Sequence, residues 1–210
     1  MFNHRNCPFE GTFNQVTPSC NPQNVTPVIP FLFWVLALRK NISIIRQEPF
    51  IFNRTIKENF KLIDPRIPLA TIRKYTKLAY LDEYIMSLPK KYDTILGESG
   101  VNLSGGQKQR LSIARAIARN PEIYIFDDSF SALDYKTDAV LRKELKKYTK
   151  DATSMIVAQR IGTIMHADKI VVLDEGECVG IGTHKELLKT CDVYKEIALS
   201  QLSEEELKDA

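Results

Sequence analysis

Cysteine is scarce. Cys7, Cys20, Cys178 and Cys191 are the only four in 210 residues, and none sit in a CxxC pair. That excludes the common zinc spacing and a disulfide scaffold, and makes a reducing cytosol the simplest compartment. Long hydrophobic runs are lacking as well. The longest, Val28–Leu38, has eleven residues and contains Pro30, whereas a spanning helix needs about 18 or more. It starts too late, and without a basic leader, to be an ordinary signal peptide. No one sign of charge dominates: 29 Lys and Arg against 26 Asp and Glu leave +3. That balance is too even for a nucleic-acid or anionic-membrane binder. His4, His166 and His184 form no ligand spacing and predict no metal role. Glycine is absent between Gly11 and Gly97, and no Gly-Lys pair occurs anywhere. That excludes a phosphate loop of the form G-x-x-x-x-G-K-[ST].

What is present divides in two. From Gly11 to Leu38 there is no charged residue and no histidine, and five of the ten prolines lie in the first forty positions. Neither a 3.6 nor a 2 period is sustained there, so residues 1–37 are expected to be poorly structured. Residues 38–202 have the pattern of an α/β domain, and 203–210 form an acidic tail expected to fray. The apolar runs Ile42–Ile45, Ile123–Phe126, Met155–Ala158 and Ile170–Leu173 predict buried parallel strands. Helical spacing predicts helices over Thr71–Ala79, Asp82–Leu88, Thr137–Tyr148 and His184–Lys189, the last capped by Thr183 with Glu186 in a capping box. Leu111, Ala114 and Ala118 share one face of a further helix, which Asn120-Pro121 ends.

Two segments carry chemistry. Ile123–Phe126 runs into Asp127-Asp128, which places two carboxylates at the carboxyl edge of a parallel sheet, where doubly wound folds bind ligands. One can hold Mg²⁺ and the next can polarise a nucleophile. Leu103-Ser104-Gly105-Gly106-Gln107 opens the arginine-bearing helix. Ser104 is a good N-cap, the glycines admit a close anion, and the helix start adds free N–H donors and a positive dipole end.

That string resembles the signature motif of ATP-binding cassette (ABC) proteins, and its neighbours agree with the family in order and spacing. Gln47 resembles the Q-loop glutamine, and Gly97-Glu98-Ser99-Gly100 the loop exporters carry before the signature. Ile123–Asp127 resembles the Walker B strand, Ser131-Ala132-Leu133-Asp134 the D-loop, and Met155–Arg160 the switch strand and its loop. The resemblance covers about residues 38–200. It implies an α/β fold: a partial cassette related to P-loop NTPases, with a parallel core sheet and a helical signature subdomain at about residues 55–118. It implies ATP and Mg²⁺ as cofactors. Asp127 and Gln47 would hold the metal, and Ser104, Gly105, Gly106, Gln107 and Asp134 would lie at nucleotide held by a partner subunit. The implied partners are a second nucleotide-binding domain and, through Glu98, a membrane domain. The chain itself would then reach the cytoplasmic side of the membrane only through that partner, and no nucleic acid is implied.

Three departures qualify the resemblance. The phosphate loop is missing, so the isolated chain is expected to bind little ATP and hydrolyse none usefully. Asp128 stands where efficient family members carry a glutamate base, and one methylene less retracts the carboxylate by about 1 Å, which can cost on the order of 100-fold. Gln159 stands where the family carries a switch histidine, and it cannot take a positive charge. The last two departures occur together in degenerate subunits of heterodimeric exporters, which predicts a heterodimer. A soluble ABC ATPase, and a non-catalytic module acting only through its signature face, remain as alternatives.

Overall fold

The computed structural model of the chain describes residues 37–202 together with Val35. Nearly all of the segment 1–37, and the tail 203–210, lie outside them. In chain order the elements are β1 (Ile42–Ile45), α1 (Ile56–Lys61), α2 (Leu69–Leu78), α3 (Asp82–Ser87), α4 (Gly105–Ala118), β2 (Ile123–Asp127), α5 (Tyr135–Tyr148), β3 (Thr153–Val157), α6 (Ile161–Ile164), β4 (Ile170–Asp174), β5 (Glu177–Gly182), α7 (His184–Thr190) and α8 (Asp192–Gln201). Short 3₁₀ turns cover Lys91–Asp93 and Glu98–Gly100.

The first three strands form a parallel sheet in the order β1-β2-β3. Ile45 pairs with Phe126, and Phe126 with Ile156. Side chains alternate across a strand, so Ser43, Ile45, Tyr124 and Phe126 share one buried face. That face packs on Ile113 and Ile117 of α4 and on Leu141 and Leu145 of α5. The sheet therefore places the carboxyl ends of β1 and β2 side by side, one carrying Gln47 and the other Asp127 and Asp128.

α1, α2 and α3 form a separate layer on the outer side of α4. Phe60, Ile72 and Ile85 pack there against Leu111 and Ala114, with Ala118 at the margin. This is the face predicted for that helix. A buried polar network braces the layer. Arg73 donates twice to Asp82, at 3.1 Å each, and the Tyr92 hydroxyl donates to the same carboxylate at 2.5 Å. Thr76 shares a 2.5 Å hydrogen bond with Tyr92. α4 ends as predicted, with Asn120 turned to φ +50° ahead of Pro121.

β4 departs from expectation. The run Ile170–Leu173 predicts a buried parallel strand, but β4 pairs antiparallel with β5. The reason is the turn: Glu175 and Gly176 both take positive φ, 47° and 86°. Two such residues in succession make the tight hairpin whose twist matches its strands. Ile170 and Val172 face α7 and α8, while Val171 and Leu173 are exposed. Thr183 and Glu186 form the predicted capping box at the start of α7.

Candidate functional site

The residues that carry chemistry meet at the carboxyl edge of the parallel sheet and at the start of α4. Gln47 follows β1 in an exposed bend, and its side-chain amide donates to Asp128 Oδ2 at 3.1 Å. That bond uses the amide nitrogen and leaves the Gln47 carbonyl oxygen available to a cation. Asp127 ends β2 with its side chain exposed. Asp128 sits at φ +42°, a left-handed geometry that only a few non-glycine residues hold. It is pinned there because its N–H donates to Val157 O and its carbonyl accepts from Ser131 Oγ, at 2.9 and 2.8 Å. The sheet thus turns the chain sharply after Asp127 and separates the two carboxylates into different environments.

Among the described residues no group of three or more His, Cys, Asp or Glu could enclose a metal. An exposed carboxylate and an amide carbonyl are hard oxygen donors on one rim. They fit Mg²⁺, which keeps most of its own water and takes one or two protein oxygens. They do not fit a soft or fully caged metal.

At the other end of the site, Ser104 caps α4. Its hydroxyl accepts from Gln107 N–H at 3.3 Å, and the Gln107 side chain accepts from Ser104 N–H at 2.8 Å. The box satisfies those two donors and leaves the first helical N–H groups, those of Gly105 and Gly106, pointing outward. A Cβ on Gly105 would meet nothing within 4 Å, whereas one on Gly106 would lie 3.3 Å from the Ala132 carbonyl. Gly106 therefore lets the helix start rest directly on the Ser131–Asp134 loop. Asp134 caps α5, and hydrogen bonds from Thr137 hold its carboxyl below the usual carboxylate value, with Arg110 adding a smaller pull. Burial pushes Arg110 below the usual guanidinium value, against a smaller upward pull from Asp134.

Three residues that matter locally were not singled out by the sequence. Gln109 is fully buried on α4 and donates to Arg46 O at 3.1 Å, tying the helix to the bend that carries Gln47. Arg115 donates to Phe50 O at 2.9 Å and lies over the Phe52 ring. Arg160 lines the small cleft at Asp128 together with Ser131, Val157, Ala158 and Thr163. Gln159 is exposed, and its backbone carbonyl accepts from Gln201 at 2.9 Å. Buried glutamines and arginines carry no periodic signal, because their partners are backbone carbonyls far away in sequence. Glu98 is exposed on its 3₁₀ turn, while Gly100 of that turn abuts Ile51, which follows the Gln47 bend.

Comparison with known proteins identifies the family. The family model described as ABC transporter matches residues 23–131. The uncharacterized ABC transporter ATP-binding protein YfiB of Bacillus subtilis is 47% identical over 168 residues, covering 80% of this chain and 29% of the relative. The solved structure of a bacterial Atm1-family ABC exporter with ATP bound superposes with a TM-score of 0.76 at 36% identity, covering 80% of this chain and 30% of the other. The chain thus spans under a third of the length of these two relatives. The chain belongs to the ABC transporter family as an ATP-binding domain of exporter type.

Proposed function

We propose that the chain serves as a degenerate ATP-binding unit of an ABC exporter, paired with a second nucleotide-binding subunit and coupled to a membrane domain on its cytoplasmic side. The observation that carries this reading is the contact of Gly106 with the Ala132 carbonyl. It sets two free helix N–H groups beside the Ser131–Asp134 loop on one surface, which suits a phosphate presented by another subunit. Ser104, Gly105, Gly106 and Gln107 would face that nucleotide, with Asp134 alongside. Asp127 and the Gln47 carbonyl would hold Mg²⁺, which when bound neutralises charge developing on a transferred phosphoryl group. Asp128 is held by the Gln47 amide and would act as a weak base. Gln159 would be a weak partner for the terminal phosphate. Glu98 would meet the membrane domain, since it is exposed on a turn that packs on the segment following Gln47.

Without a Gly-Lys phosphate loop, the largest electrostatic contribution to holding the triphosphate is absent. The isolated chain should then give no heat with ATP–Mg²⁺ up to millimolar concentrations. It should release phosphate only when mixed with a cassette that supplies such a loop. Micromolar binding by the chain alone would overturn this reading. Activation of a partner that persists after Asp127→Ala and Asp128→Ala would favour the non-catalytic alternative instead.

A further inference from the structure

The loop after β3 carries Gln159, and side chains from two distant elements hold its backbone. Gln201 is the last residue of α8. Its amide nitrogen donates to the Gln159 carbonyl at 2.9 Å, and its amide oxygen accepts from the Ile161 N–H at 2.9 Å. Ile161 opens α6. The first N–H groups of a helix have no partner within it, so Gln201 satisfies one of them. An amide carries a donor and an acceptor on one planar head, and the two backbone groups it meets here are an acceptor and a donor. Only one orientation serves both, because the flipped amide sets nitrogen against N–H and oxygen against C=O. The head therefore fits one arrangement of residues 159–161.

Arg142 of α5 holds the next residue. Its Nη1 donates to the Gly162 carbonyl at 2.8 Å. Its Nε and Nη2 donate to Asp138 at 2.8 and 3.0 Å. Asp138 is buried one turn into α5, whose N-cap is Asp134. One helix therefore links the Ser131–Asp134 loop to the residue beside Ile161. Arg142 and Gln201 border a single cavity of about 310 Å³, which Arg160 and Thr163 also line. Residues 159, 161 and 162 are thus each held by a side chain from elsewhere in the chain.

The support on the α8 side is itself anchored. Ile161, Tyr194 and Ala198 are buried in one cluster, and Leu202 packs against it. The Leu202 N–H donates to the Ala198 carbonyl at 2.9 Å, so the chain is fixed on both sides of Gln201. Gln159 is exposed and lies outside that cluster. A glutamine side chain has much rotamer freedom to lose. The direction of its amide therefore depends on how firmly the peptide group behind it is held.

We propose that Gln201 is a positioning residue for Gln159. It fixes the peptide group between residues 159 and 160, and so narrows the directions in which the Gln159 amide extends. Gln201 acts through the backbone and touches no nucleotide. The inference deepens the exporter reading, in which Gln159 meets the terminal phosphate, and rests on it for that role. A residue that merely capped α6 would need only the bond to Ile161. The bond to the Gln159 carbonyl is the one that bears on the phosphate partner. It needs a donor, which an amide has and a carboxylate lacks.

The test uses the full chain without nucleotide, so its failure is separate from failure of the exporter reading, which ATP–Mg²⁺ titration decides. Gln201→Met keeps the length and helix propensity of the side chain and removes both bonds. Amide exchange at Ile161 should quicken at least tenfold. The backbone order parameter of Arg160, read by ¹⁵N relaxation, should fall from about 0.85 to below about 0.6, the values of rigid and flexible backbone. Exchange at Ala198 and the circular dichroism spectrum should not change. Gln201→Glu keeps an acceptor for Ile161 and loses the donor to the Gln159 carbonyl, so it should lower the Arg160 order parameter as far as Gln201→Met does. Gln159→Ala should leave Ile161 exchange as it is, because Gln201 grips only backbone there. A rigid Arg160 in Gln201→Met overturns the proposal. A rigid Arg160 in Gln201→Glu also overturns it, since Gln201 would then serve as a cap for α6 alone. Faster exchange throughout α8 overturns it as well, because the residue would then hold the helix and not the loop.

Discussion

Replacing Tyr92 by phenylalanine tests whether the Asp82 network holds the helical layer that carries the start of α4. The substitution keeps the ring, which is buried among Ile72, Leu81 and Leu96, and deletes only the hydroxyl. That hydroxyl donates to an ionised carboxylate at 2.5 Å. Hydrogen bonds to charged groups contribute about 1.5–3 kcal/mol. Two facts place the expected loss near the lower end. Asp82 keeps both bonds from Arg73, and Thr76 Oγ keeps its bonds to Ile72 O and Arg73 O, so nothing is orphaned. A loss of about 2 kcal/mol in a domain of this size lowers Tm by about 4–8 °C. Thermal and urea unfolding measure it, and the urea midpoint should fall while the slope stays constant. The pH dependence supplies a second check. The Arg73 bonds first, with the Tyr92 bond beside them, outweigh the upward push of burial and hold the Asp82 carboxyl below its ordinary value. Stability from this source is therefore fully present above the unfolded carboxyl pKa of about 4, and is lost as pH falls through the folded value. The gap between wild type and Tyr92→Phe should accordingly narrow below about pH 4. A Tm change under about 1 °C at pH 7, or a gap that widens in acid, would refute the network's role.

Further outcomes are expected elsewhere. His184 is buried, with Nδ1 2.7 Å from the Tyr194 hydroxyl and Nε2 without a partner, and burial pushes its pKa below the usual imidazole value. The chain should lose stability as pH falls through about 6.5, where the unfolded imidazole charges first. His184→Gln should flatten the Tm profile between about pH 7.5 and 5.5. Gly106→Ala should be less stable than Gly105→Ala, because only the former places its Cβ 3.3 Å from a backbone carbonyl; paired melting curves decide, and the reverse order would contradict the close contact. Gly180→Ala drives a Cβ to 3.0 Å from both Cys191 Sγ and Leu187 Cδ2. It should cost about 1–3 kcal/mol by urea unfolding, as overpacking does, and adding Cys191→Ala should recover part of it.

How much of this was legible in the sequence depended on whether a signal was local. Ser104 and Thr183 announce their helices through residues three positions on, and both boxes form. The same T-x-x-E signal stands at Thr55-Ile-Lys-Glu58 and caps α1, a helix the apolar periodicity alone does not reveal because six residues hold too few turns. The face made by Leu111, Ala114 and Ala118 was legible because burial there follows the helix period. Gln47, Asp127 and Asp128 were placed at the sheet edge by the strands before them, but the hydrogen bond between Gln47 and Asp128 joins residues 81 positions apart, which no local pattern encodes.

The misreading of β4 has a physical cause. Continuous Ile and Val predict burial on both faces, which holds only for a strand with neighbours on both sides and a cover on each face. β4 has the composition of an inner strand and the position of an outer one: Val171 and Leu173 face outward although nothing polar replaces them. β3 has the same mismatch at Met155 and Val157. A sequence under pressure to keep an exposed face wet would place charged or polar residues at those positions, and natural edge strands are commonly blunted that way. Both strands therefore carry the composition of inner strands while one face of each stands open, which is why an apolar run by itself does not separate a covered strand from a bare one.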